Sequence, residues 1–102
     1  MRRVMVRYRV KRDRVEENEE LVRAVYEELG RTRPEGLRYA TFKLEDGVSF
    51  VHLAETEDGD NPLSQLTAFR EFQNEIADRC DEPPVVTKLD RVGSYRLLEG
   101  DE

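Results

Sequence analysis

Gly36-Leu-Arg-Tyr-Ala-Thr-Phe-Lys-Leu44 and Val48-Ser-Phe-Val-His-Leu-Ala-Glu-Thr56 are two alternating runs rich in β-branched and aromatic residues, joined through Glu45, Asp46 and Gly47. Asp-Gly takes positive φ readily, so the pair marks a β-hairpin with a two-residue type I′ turn. Pairing outward from that turn sets Glu45 against Val48, Phe42 against Val51, Thr41 against His52 and Ala40 against Leu53. One face then carries Ala40, Phe42, Leu44, Val51 and Leu53, and the other Tyr39, Thr41, Lys43, Phe50, His52 and Ala54. The first is apolar throughout and reads as the core side; the second is too polar for an ordinary core and too apolar for open solvent. A three-residue loop with a bulge at Gly47 is the alternative, and it would place His52 beside Ala40 on the other face.

On the N-terminal side, Val4, Val6, Tyr8 and Val10 alternate with Arg3, Met5, Arg7, Arg9 and Lys11, the pattern of a strand. Arg7 and Arg9 lie on its polar side, where they either face solvent or form a cationic rim for an anionic or carbonyl-bearing ligand. Asp13 with Glu16 three residues on resembles a capping box, and Val15, Leu21, Val22, Val25, Tyr26 and Leu29 follow at helical spacing up to a left-handed stop at Gly30. The acidic residues Glu16 to Glu20 complement the helix dipole and read as a solvated face.

Beyond the hairpin, the acidic run Glu55 to Asn61 lacks the ligand spacing of a calcium loop and reads as a turn. Asn61-Pro62 opens a second amphipathic helix carrying Leu63, Leu66, Phe69, Phe72, Ile76 and Cys80 to about Arg79, with a break near Leu66 and Thr67 as the cap of its main segment. Cys80 reads as an inert buried thiol. Asp81-Glu-Pro-Pro84 ends the helix, and Val85 to Leu98 forms the last strand, interrupted at Gly93. Residues 1–98 make one domain and 99–102 a frayed tail.

The order strand, helix, strand, strand, helix, strand defines an α+β, ferredoxin-like βαββαβ fold: a four-stranded antiparallel sheet with both helices on one face. Val4, Val6 and Val10 with Val51 and Leu53 are expected beneath the helices. Met5, Phe50 and Tyr39, among Arg7, Arg9, Thr41 and His52, are then left on the open face. That much apolar area calls for a second layer, which a two-fold-related copy of the chain would supply.

A chain of 102 residues accommodates one modestly stable domain. Its net charge of −6 repels nucleic acid and anionic membranes, although charged residues make up 39% of it. The aromatic pattern of an RNA-binding sheet is also missing. A single cysteine cannot form an internal disulfide, Met-Arg-Arg-Val does not begin a signal peptide, and no run reaches transmembrane length, so the expected compartment is the cytoplasm. No metal cluster is evident.

The segments Val6-Arg-Tyr-Arg-Val-Lys11, Pro34-Glu-Gly-Leu-Arg-Tyr39, Phe50-Val-His-Leu-Ala-Glu55 and Ala68-Phe-Arg-Glu-Phe72 resemble the dimeric α/β-barrel superfamily, most closely its antibiotic-biosynthesis-monooxygenase-like domains. The resemblance spans nearly the whole chain and rests on fold markers. It implies a homodimer with sheets packed face to face, often with the last strand reaching the partner, which fits the break at Gly93. Some such proteins oxidise aromatic polyketides with oxygen and neither metal nor flavin; others break down haem. This chain has no Trp and no His in its second helix, which separates it from the haem-degrading members.

Two functions follow as expectations. In the first, a cofactor-independent monooxygenase holds a small aromatic or enolisable substrate with His52 as proton acceptor and Tyr39 or an arginine on the oxyanion. The ligand-binding set is Tyr39, Thr41, Arg7, Arg9 and Asn74. In the second, the same homodimer binds a small ligand without turnover, or serves a structural role.

Overall fold

The computed structural model describes residues 1–57 and 61–97. Strands β1 (Arg2–Val10), β2 (Leu37–Lys43), β3 (Ser49–Thr56) and β4 (Cys80–Lys88) form one sheet of order β2-β3-β1-β4 with every pairing antiparallel. Helices α1 (Val15–Thr32), α2 (Thr67–Gln73) and α3 (Ile76–Arg79), with short 3-10 turns at Arg12–Arg14 and Pro62–Gln65, complete the chain. The ferredoxin-like reading holds.

The hairpin register is the expected one, with Phe42 opposite Val51 and Thr41 opposite His52. Its turn is not. Gly47 alone takes positive φ, its N–H donating to Leu44 O at 3.0 Å, while the Asp46 carboxylate accepts from the N–H groups of Val48 and Ser49 and from the Ser49 hydroxyl. These bonds hold the Asp46 pKa down at about 2, with the Ser49 hydroxyl contributing most. An Asp side chain thus does the work that a second left-handed residue does in a type I′ turn.

The two faces of the hairpin are the reverse of the expectation. β1 pairs with β3 so that Val6 faces His52 and Tyr8 faces Phe50, which puts Phe50, His52, Tyr39 and Thr41 beneath the helices and Val51 and Leu53 on the open side. Met5, Arg7 and Arg9 do lie on the open side, as expected. Tyr8, Phe50, His52 and Phe72 form one ring cluster, with Tyr8 stacked on Phe50 at 5.5 Å. Burying a large side chain contributes about 1.5–3 kcal/mol, and an unpaired buried hydroxyl or imidazole costs about as much. The aromatic face wins because its polar atoms are paired: among the described residues no buried side-chain nitrogen or oxygen lacks a partner.

Element ends differ from the sequence pattern where tertiary contacts override local signals. The Asp13–Glu16 capping box is not formed; a 3-10 turn leads into α1 at Val15 with no side-chain cap. α1 runs through Gly30 and stops at Arg33, whose φ of 47° closes the helix through a hydrogen bond to Leu29 O. The second helical region is split, as expected near Leu66, and again at Asn74-Glu75, where Glu75 is left-handed. Asn61 caps its first turn through Leu63 N–H at 2.9 Å. β4 starts at Cys80 and contains Pro83 and Pro84, which an edge strand tolerates, and ends at Lys88 before Gly93. Register shifts against β1 between Arg7 and Val10 absorb them. Residues 58–60 of the acidic loop and the expected tail at 99–102 fall outside the described residues. Among the described residues no helix is long and apolar enough to cross a membrane.

Candidate active site

Between the sheet and the second helical region lies a cavity of about 470 Å³. Val4 and Val6 of β1, Phe69 and Phe72 of α2, Leu63 and Ile76 make it mainly apolar, while Tyr8, Tyr39 and His52 bring polar atoms to its wall. Alternation along β1, β2 and β3 puts Val4, Val6, Tyr8, Tyr39 and His52 on one side of the sheet, which is why residues distant in sequence converge there.

His52 is 4% exposed and both its ring nitrogens are engaged. The Tyr8 hydroxyl lies 2.8 Å from Nε2, the Tyr39 hydroxyl 2.6 Å from Nδ1, and the Thr41 hydroxyl 3.3 Å from Nδ1. Beyond Thr41, the Tyr26 hydroxyl is 2.8 Å from Oγ1, and the Tyr26 ring stacks on Tyr39. On the other side Asn18 Nδ2 donates to Tyr8 at 3.0 Å, and Arg79 Nε donates to Asn18 Oδ1 at 3.3 Å. A continuous polar chain therefore runs from Arg79 to Tyr26 through an apolar interior.

Burial lowers the His52 pKa to about 4, so the imidazole is neutral at physiological pH. Burial also raises the pKa of Tyr8 and, more weakly, Tyr26; the Asn18 hydrogen bond only partly opposes it at Tyr8. Tyr39 is raised by burial and then by its neighbouring phenols. All three phenols stay protonated, and a neutral acceptor sits among neutral donors, a set suited to moving one proton and holding one anionic oxygen.

Of the residues expected at the site, the structure unites His52, Tyr39 and Thr41. Arg7 and Arg9 are exposed on the opposite face of the sheet, Arg9 paired with Glu82 at 3.2 Å. Asn74 is exposed at the α2–α3 break, where its carbonyl accepts from Arg79 at 3.2 Å. Tyr8, Asn18 and Arg79 were not anticipated. A signal existed for Asn18: it continues the spacing of Val22, Val25 and Leu29 back along α1, a polar residue on an apolar stripe. Arg79 has no such signal: it lies seven residues after Phe72, but the break between α2 and α3 interrupts the helical spacing that would relate the two.

No family model and no curated protein matches this sequence. Solved structures do. An antibiotic biosynthesis monooxygenase superposes with TM-score 0.70 at 21% identity, over 91% of this chain and 100% of its own. A proposed antibiotic biosynthesis monooxygenase from Nitrosomonas europaea gives 0.72 at 21% identity, over 89% of each chain. A protein of unknown function from the same organism gives 0.70 at 12% identity, over 92% of this chain and 91% of its own. At these identities the likeness is one of architecture, and it extends to proteins without an assigned activity. The chain thus has the ferredoxin-like fold of the antibiotic-biosynthesis-monooxygenase-like domains.

Proposed function

We propose that this chain is a homodimeric, cofactor-independent monooxygenase that takes a small aromatic or enolisable substrate into the cavity beneath its second helical region. The observation that carries this reading is the neutral, buried His52 held between two phenols in the wall of that 470 Å³ space. Phe69 and Phe72 offer ring contacts to a planar ligand, His52 accepts the proton lost on enolisation, and Tyr39 donates to the resulting oxyanion. The electron-rich anion reduces dioxygen. One oxygen atom enters the substrate as a carbonyl, and the other leaves as water with the two hydrogens of the oxidised carbon.

The open face supports the dimer. Phe42 is 50% exposed there, flanked by Ala40, Val51, Leu53 and Met5. A shallow hollow of about 310 Å³ lies between Phe42, Leu53, Leu89 and Leu97. A second copy related by a two-fold axis would cover both.

One observation favours a binding protein without turnover: every polar atom around His52 already has a partner, a rigid arrangement suited to recognition alone. An oxygen electrode with an anthrone as the enolisable aromatic ketone separates the two readings. The enzyme reading expects one dioxygen consumed per quinone formed, and a loss of about 10²–10⁴-fold in His52→Ala. Saturable binding without oxygen uptake supports the second reading, and absence of both binding and uptake removes the first.

A further inference from the structure

The polar chain around His52 has a direction, and one residue at its far end sets it. Arg79 is 1% exposed. Its Nη2 donates to Phe72 O at 2.7 Å, Nη1 to Asn74 O at 3.2 Å and Nε to Asn18 Oδ1 at 3.3 Å. A guanidinium carries donors and no acceptor, so the amide of Asn18 must turn its oxygen toward Arg79. The reverse orientation would oppose N–H to N–H in a site from which water is excluded.

With its oxygen so fixed, Asn18, itself 0% exposed, presents its NH₂ group to the Tyr8 oxygen at 3.0 Å. Tyr8 has one proton of its own, and the acceptor within reach of it is His52 Nε2 at 2.8 Å. Were Nε2 protonated instead, Tyr8 would accept twice and its own proton would be left without a partner in the interior, the costlier arrangement.

We infer that Arg79 and Asn18 are positioning residues that hold His52 as the tautomer protonated at Nδ1, leaving Nε2 as the basic nitrogen behind Tyr8 and aiming the Nδ1 proton at Tyr39. The Tyr39 oxygen receives that bond at 2.6 Å, so its own O–H is directed to the Thr41 hydroxyl or to an oxygen in the cavity. This rests on the reading of the cavity as a ligand site and divides its labour. A proton leaving the ligand passes to the Tyr8 oxygen as the Tyr8 proton passes to Nε2, which leaves an imidazolium and a ligand anion. Tyr39, receiving a hydrogen bond from that imidazolium, is the donor the anion meets. Ligands lacking an acceptor oxygen opposite Tyr39 are disfavoured.

The chain contains one histidine, so its imidazole nitrogens can be read directly in ¹⁵N-labelled protein. Long-range proton–nitrogen correlation spectra at pH 7.5, without ligand, are expected to show Nδ1 protonated and Nε2 bare. In Asn18→Asp the carboxylate accepts from both Arg79 and Tyr8, which turns the Tyr8 proton away from Nε2, and the two positions are expected to exchange. In Tyr8→Phe the donor that keeps Nε2 bare is lost, and both nitrogens are expected at averaged shifts. A wild-type spectrum with Nε2 protonated overturns the inference by itself, as does an unchanged tautomer in a folded Asn18→Asp protein. None of these readouts involves turnover, so they stand or fall separately from the oxygenase reading.

Discussion

The carboxylate of Glu28 on α1 caps α2, accepting from the N–H of Ala68 at 2.8 Å and from that of Thr67 at 3.3 Å. Leu66, at the N-cap of α2, has no side-chain oxygen to offer, so the sequence pattern that named Thr67 as the cap misplaced the group by 39 residues along the chain. Glu28→Ala is expected to lower stability by about 1 kcal/mol, in the range of a lost N-cap. Glu28→Gln should retain part of it, since an amide oxygen still accepts. Urea midpoints of the three proteins check the order.

Stability should fall as pH drops from about 6.5 toward 4. The His52 pKa is about 4 in the folded chain against about 6.5 when unfolded, so within that window the unfolded state binds the extra proton and is favoured. The contribution is fully present above pH 6.5. Between pH 7.5 and 5 the loss amounts to about 2 kcal/mol. His52→Gln, which keeps a donor and an acceptor, should show a flatter profile over this range. An equally steep profile in that variant would place the titration elsewhere.

Phe42→Asp tests the dimer without touching the cavity, because Phe42 is on the open face and the cavity is on the other. Burying a carboxylate in the centre of an apolar interface costs several kcal/mol. Sedimentation is expected to show a 12.0 kDa species for the variant and twice that mass for the unaltered chain at micromolar concentration. A monomeric unaltered chain would remove the dimer from the proposal.

Gly47 has φ +80° and open space where a Cβ would stand, so replacing it incurs backbone strain and no clash. Gly47→Ala is expected to cost about 1 kcal/mol and Gly47→Asn less, since Asn tolerates the left-handed region. Thermal unfolding of the pair separates conformational strain from the hydrogen bonds of Asp46.

The topology and the hairpin register were legible because alternation and the Asp-Gly turn are local signals. Which hairpin face meets the helices was not, because it depends on how β1 aligns with β3. A one-step difference there exchanges Val51 and Leu53 for Phe50 and His52. The uniform apolarity of the Ala40–Leu53 face pointed inward, yet the mixed face is buried because Tyr8, Asn18 and Thr41 satisfy it. That compensation draws on β1, α1 and β2 together and has no local signature. His52, Tyr39 and Thr41 share a side by strand parity alone, so they could be grouped from the sequence. Arg79 could not, since its place depends on the break at Asn74-Glu75.

That break does something no unbroken helix could. Had α2 continued into α3, the carbonyls of Phe72 and Asn74 would have been consumed by amides one turn further on. The left-handed kink at Glu75, φ 60°, leaves them for the Arg79 guanidinium, which takes the role of those amides while bringing a full positive charge inside the protein. The discontinuity is thus the socket of an internal cation. Any relative whose second helix runs straight through this point should dispense with the arginine and orient its interior hydroxyls by some other means.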